Sequence, residues 1–147
     1  MRIFKKLTCI VFILLFVFSF ISCNNDAEIK DKDLWSSAKY KEDTSIGVGD
    51  KTIELDITAA DKTITLTVST SKTTLCDAML EFGLVSGEFS QYGYFVNTVN
   101  NIPEKTNKDS DMYWLIFIKD KLSETSIDKI NIKNGDKYTF KYDNSYS

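Results

Sequence analysis

Between Lys51 and Ser69 hydrophobic and polar positions alternate strictly: Ile53, Leu55, Ile57 and then Ile64, Leu66, Val68 fall on one side, with Glu54, Asp56, Thr65 and Thr67 on the other. A period of two marks a half-buried strand, so the two runs predict a hairpin with one wet face, joined through Ala59-Ala60-Asp61-Lys62. The period then changes. Leu75, Ala78, Met79 and Phe82 recur at helical spacing behind Thr73 or Thr74 as N-cap, with Asp77 in the first turn near the positive helix end. Gly83 supplies a left-handed stop onto which Leu84 can fold back. After a turn at Ser86-Gly87-Glu88, Tyr92 to Val99 alternates again in aromatic and β-branched residues, which predicts a strand. Met112 to Ile118, MYWLIFI, is apolar at every position and predicts a central strand buried on both faces. Asn134-Gly135 is a two-residue hairpin signal, and Tyr138, Phe140 and Tyr142 alternate behind it with Lys137, Thr139 and Lys141. Strand, strand, helix and three strands in that order predict an α+β architecture, a single helix packed on a mixed or antiparallel sheet.

The first 22 residues stand apart from this patterning. Arg2, Lys5 and Lys6 precede an apolar run from Leu7 to Ile21, 15 residues long, where about 20 are needed to span a bilayer. The run reads as an export signal. It ends in Phe20-Ile21-Ser22-Cys23, which resembles a bacterial lipobox apart from Phe20 in the place of the usual leucine. Lipidation of Cys23 would leave two acyl chains on the first mature residue, enough for stable anchoring on the outer face of a membrane. The expected organisation is a lipoprotein signal at residues 1–22, a lipidated polar stalk at 23–33 and one domain at 34–147.

Charge and cysteines narrow the classes further. Without Arg2, Lys5 and Lys6, 15 basic residues face 21 acidic ones, a net charge of −6 that argues against nucleic acid as a partner. Cys9 leaves with the signal and Cys23 carries lipid, so Cys76 remains alone and no intramolecular disulfide is expected. The 125 residues from Cys23 onward must be held by their hydrophobic core, which is adequate for one domain of that size.

Catalytic chemistry finds little to work with. The chain has no histidine, hence no imidazole base, no Ser-His or Cys-His pair and no histidine-containing zinc site, and an enzyme is not expected. Cys76 sits at a helix N-terminus, where a thiol pKa can fall, but a lone cysteine reads first as a small buried hydrophobe. Asn107, Asp109 and Asp111 alternate like the first ligands of a calcium loop, yet Met112 and Ile118 stand where glycine and a bidentate glutamate are required, so no metal site is expected. Glu81 and Glu88 have no spacing that sets two carboxylates across a substrate. Aromatic side chains remain. Tyr92, Tyr94, Tyr113 and Trp114 fall on adjacent predicted strands and could stack on a planar ligand, with Tyr92, Tyr94 and Trp114 as the candidate binding residues; core packing accounts for the same pattern.

Thr74-Leu75, Asp77-Ala78, Leu80, Gly83-Leu84, Gly87-Glu88, Tyr92-Gly93, Phe95-Val96, Thr98-Val99-Asn100, Tyr113-Trp114 and Asn134-Gly135-Asp136 with Tyr138 and Phe140 follow one another along the chain. This succession resembles the family of domains similar to the C-terminal domain of transcobalamin and intrinsic factor. The resemblance runs from about Leu34 to Tyr142 and implies a β-grasp-like fold on a Gram-positive lipoprotein. It implies cobalamin only indirectly, because in that family the cofactor lies between this domain and a helical barrel for which 125 residues leave no room. Cys76 and Asn101 replace glycines usual in the pattern, and Lys119-Asp120-Lys121 replaces an Asn-Gly turn. The expectation is a lipid-anchored extracytoplasmic binding or accessory module for a small ligand such as a cobamide, or else a structural or protein-interaction domain of the cell envelope. If Cys23 carries the anchor, Cys23→Ala releases the protein from the membrane fraction, and mass spectrometry of the wild type finds a diacylglyceryl adduct; a variant that stays membrane-bound contradicts the assignment.

Overall fold

The computed structural model describes residues 34–106 and 111–144. Its strands are β1 (Thr44–Gly47), β2 (Lys51–Ala59), β3 (Lys62–Thr70), β4 (Val85–Ser90), β5 (Gly93–Val99), β6 (Ile102–Pro103), β7 (Tyr113–Ile118), β8 (Lys121–Leu122) and β9 (Lys137–Asp143). Helix α1 (Leu75–Glu81) and a 3-10 turn (Ile127–Lys129) complete the order. Six strands form one sheet in the order β1-β3-β2-β9-β7-β8, and β4-β5-β6 form a second.

The β2–β3 hairpin has the register its pattern predicts, with Ile53 opposite Val68, Leu55 opposite Leu66 and Ile57 opposite Ile64, all buried. Beside it β9 runs parallel to β2 and antiparallel to β7. Its Tyr138, Phe140 and Tyr142 point into the same core while Lys137 and Lys141 face water. The large sheet is therefore apolar on one side only. Thr74 caps α1 by accepting the Asp77 N–H at 3.1 Å. Leu84 N–H returns to the Met79 carbonyl at 2.8 Å and Gly83 N–H to Leu80 at 3.0 Å, a Schellman ending with Gly83 at φ +58°.

The architecture differs from the α+β expectation: among the described residues this is a mainly-β fold, with nine strands and one seven-residue α-helix. Three short strands, β1, β6 and β8, are too brief to carry a legible period. The fourth, β4, hides behind Ser86-Gly87-Glu88, which reads as a turn. The segment instead pairs with β5 through a bulge between Ser86 and Gly87. A side chain at Gly87 would place its Cβ 1.9 Å from the Phe95 carbonyl oxygen, so the missing Cβ permits pairing here and does not mark a chain reversal.

Two further expectations change. MYWLIFI does not form the centre of the sheet: β7 lies one strand from the edge, flanked by β9 and two residues of β8. Trp114, Ile116 and Ile118 face the core, whereas Leu115, on the other face opposite Lys141, is buried outside the main core cluster. Because the sheet is covered on one side, even its central strands alternate. Asn134-Gly135 does make a turn, but not a hairpin; it leads into β9 and secures the start of β2, with Asn134 Oδ1 accepting the Thr52 N–H at 2.8 Å and Gly135 N–H donating to the Thr52 carbonyl at 2.8 Å.

The two sheets are fastened at Asn100, a fully buried residue with φ +53° in the turn between β5 and β6. Its Nδ2 donates to the Tyr40 carbonyl at 2.7 Å and its Oδ1 accepts the Tyr40 N–H at 2.9 Å. Its backbone receives Lys39 N–H at 3.0 Å and donates to Leu84 at 2.7 Å. Trp35, whose Nε1 donates to the Ala59 carbonyl at 3.0 Å, holds the same N-terminal segment against β2. Truncation of Asn100 leaves two part-buried Tyr40 backbone groups without their partner, so Asn100→Ala is expected to cost about 1–3 kcal/mol in a denaturant melt. Asn100→Gly, which relieves the positive φ, loses less; equal losses would show that the backbone conformation contributes nothing.

Candidate functional site

A cleft of about 290 Å³ opens between β5 and β7, walled by Tyr92, Tyr94 and Phe95 on one side and Tyr113 and Trp114 on the other, with the 123–126 loop across its end. All three aromatic candidates read from the sequence meet here. They are not equivalent. Trp114 is 6% exposed, its Nε1 donates to the Ile102 carbonyl at 2.9 Å, and its ring tilts 47° against Tyr142 at 5.2 Å. It joins β7 to β6 and gives the cleft a wall, not a free stacking face. Tyr94 is also buried and takes Phe89 edge-on at 5.0 Å. Tyr92 is 78% exposed in the turn that leads into β5.

The position of Tyr92 and Tyr94 is set from the backbone. Tyr94 N–H donates to Asp128 Oδ1 at 2.8 Å, and the Ser126 hydroxyl donates to the Tyr94 carbonyl at 2.9 Å and contacts the Asp128 carboxylate. Lys129 Nζ donates to the Tyr92 carbonyl at 3.1 Å. Gly93, at φ +120°, makes this approach possible, since a Cβ there would come within 2.6 Å of the Ser126 Cβ. This clamp was not legible in the sequence; Ser-Ile-Asp is an ordinary polar turn until the fold brings it to β5. Phe89, 71% exposed, extends the aromatic surface beyond the cleft, and Phe95, 50% exposed, lines its rim. Strand alternation sets Phe95 on the face opposite Tyr94, which hid it as a lining residue.

Other candidates separate from this place. Cys76 is 2% exposed, and burial, with Asp77 and Asp128 adding repulsion, pushes its thiol up to about 11, so it is a core residue and not a nucleophile. Asp111 accepts from the Tyr113 hydroxyl at 2.9 Å; Asn107 and Asp109 lie outside the described residues, as does Cys23. Glu81 accepts from the Thr70 hydroxyl at 2.6 Å, while Glu88 is exposed on β4.

A larger hollow of about 630 Å³ lies where β9 begins, and two of its acidic side chains are engaged. Lys137 pairs with Asp56 at 2.9 Å, and Asp136 accepts from the Lys133 N–H and the Tyr138 hydroxyl. Its lip, Lys119-Asp120, keeps the left-handed pair of a tight turn at φ +50° and +63° without glycine, just as Asn100-Asn101 does at +53° and +64°. The substitutions that distinguish these loops from the glycine-based pattern therefore preserve the turns.

Two packed sheets with an aromatic cleft at their junction define a β-rich domain. Residues 72–144 match the profile of a domain of unknown function, DUF4430. No functionally curated protein matches the chain. Among solved structures it is similar to a protein of Ruminococcus gnavus ATCC 29149 provisionally described as metal-binding, at 22% identity and a TM-score of 0.60 over 66% of this chain and all of that one. It is also similar to haptocorrin in complex with cobinamide, at 9% identity and a TM-score of 0.53, over 67% of this chain but 26% of haptocorrin. The described domain thus shares its fold with about a quarter of haptocorrin.

Asp128 gives the clamp a pH dependence. The Ser126 hydroxyl and the Tyr94 N–H hold its carboxyl below the usual carboxylate range. A lowered folded pKa contributes stability above the unfolded value near 4 and loses it as pH falls through the folded value. The Tyr94 amide should therefore exchange faster with deuterium in acid than neighbouring β5 amides do, and Asp128→Ala should show the fast exchange at neutral pH as well; unchanged Tyr94 protection in the variant would separate the clamp from Asp128.

Proposed function

We propose that this chain is a non-catalytic, lipid-anchored extracytoplasmic binding module whose β5–β7 cleft takes the edge of a planar, partly apolar ligand, a cobamide being one candidate. The observation that carries the reading is the exposed Tyr92 above a cleft whose Tyr94 and Trp114 walls are fixed by hydrogen bonds and packing. Preorganised walls save the entropy of ordering them on binding, and the one exposed aromatic offers a face to the bound edge. At about 290 Å³ the cleft is small for the usual range of ligand pockets, about 300–1,000 Å³, so it covers part of a ligand and leaves the rest for a second surface. The similarity to haptocorrin, crystallised with cobinamide, supports this half-site reading.

A second reading, a protein-interaction domain of the cell envelope, is favoured by β4. Five of its six residues are exposed, it forms an edge of the small sheet, and it carries Phe89. Calorimetry of the chain from Asn24 onward with cobinamide tests the first reading. Binding should weaken about 2- to 12-fold in Tyr92→Ala, the loss of one aromatic contact of about 0.5–1.5 kcal/mol. Absence of heat and of a thermal shift at millimolar cobinamide would remove that ligand, and recovery of a stable envelope protein on β4 without added ligand would favour the second reading.

A further inference from the structure

The β5–β6 corner contains an anomaly that the cleft does not explain. β5 and β6 pair Val99 with Ile102 and Thr98 with Pro103, and the next step sets Asn97 opposite Glu104, whose N–H donates to the Asn97 carbonyl at 2.6 Å. Directly opposed residues carry their Cβ atoms about 4.5–5.5 Å apart on one face. Asn97 Oδ1 and Glu104 Oε2 are both buried, and neither has a hydrogen-bond partner. With the Asn97 amide in this orientation and Glu104 charged, both oxygens only accept, so neither orphan can satisfy the other. Buried acceptors left unpaired are costly, and in native proteins they call for a donor or an ion.

We propose that Glu104 and Asn97 form an acid–amide pair joined by one proton, Glu104 Oε2–H donating to Asn97 Oδ1, and that ionising Glu104 loosens the β5–β6 corner behind the aromatic cleft. One proton converts Glu104 Oε2 from acceptor to donor and pairs both orphans at once. The titratable groups that act on this corner among the described residues are Glu88 of β4 and Tyr142 of β9. Burial, then repulsion from Glu88, raises the Glu104 carboxyl above its ordinary value. Tyr142, raised by burial and by Glu104, stays a neutral phenol. A cation is the less suitable occupant, because no three His, Cys, Asp or Glu side chains among the described residues group as metal ligands. The link to the cleft is short: Ile102, two residues from Glu104, accepts the indole N–H that fixes Trp114.

A raised folded pKa contributes stability that is complete below the unfolded value, near pH 4, and is lost as pH rises through the folded value. Glu104→Gln supplies a permanent N–H donor to Asn97. The expected result is a variant that melts at a higher temperature than the wild type at pH 7, with the gap closing by pH 3.5. Infrared difference spectra of the wild type should show a protonated carboxyl stretch surviving above pH 5 that is absent from Glu104→Gln. Glu88→Gln, a surface change, should move the loss of that band to lower pH. Parallel pH–melting curves for wild type and Glu104→Gln would overturn the proposal, as would a calcium-dependent rise in the wild-type melting temperature at pH 7 that Glu104→Gln lacks.

Discussion

Everything in this fold follows from a six-stranded sheet with one apolar face and too little helix to cover it. Six strands at about 4.8 Å spacing span roughly 24 Å from first to last, whereas a seven-residue helix is about 10 Å long. α1 buries Leu75, Cys76, Ala78 and Met79 over part of that face. The remainder needs another cover, and Leu84, Val85, Val99 and Ile102 from the small sheet supply it, with Ile127, Ile130 and Ile132 from the 3-10 turn region. Neither sheet is a complete structure without the other.

That division of labour explains the position of the cleft. β5 and β7 belong to different sheets and approach without pairing, so a gap persists between them, lined by large rings. A continuous sheet would have closed it with backbone hydrogen bonds. Instead the gap is bordered by side-chain devices: Ser126 and Asp128 occupy the backbone of Tyr94, Trp114 reaches across to Ile102, and Asn97 and Glu104 close the far corner. The proposed site at this junction would combine rigid walls with one open side.

Much of the large sheet was legible in the chain. The β2–β3 register, the Thr74 cap, the Gly83 stop and the inward face of β9 all follow from periods and cap chemistry that act over a few residues. Misreadings came where local signals have two tertiary meanings. Gly87 can reverse a chain or admit a bulge, and only its approach to Phe95 decides which. An unbroken apolar run can mark burial on both faces, or, as in β7, a strand near the edge of a one-sided sheet whose outward Leu115 is covered locally. These choices turned an expected helix-on-sheet domain into a mainly-β one.

The aromatic candidates divide along the same line. Sequence by itself determined that Tyr94 and Trp114 lie on strands, that no histidine chemistry is available and which faces of β2, β3 and β9 turn inward, because those properties depend on residue type and short spacing, whereas Tyr92, expected to open the strand, sits in the turn before β5. Only the tertiary structure decided that Trp114 is a strut, Tyr94 a clamped wall and Tyr92 the exposed ring, and that Asn97 faces Glu104. Exposure and pairing arise from contacts between residues far apart in the chain, from Tyr40 to Asn100 and from Tyr94 to Asp128, and no local pattern encodes which distant partner arrives.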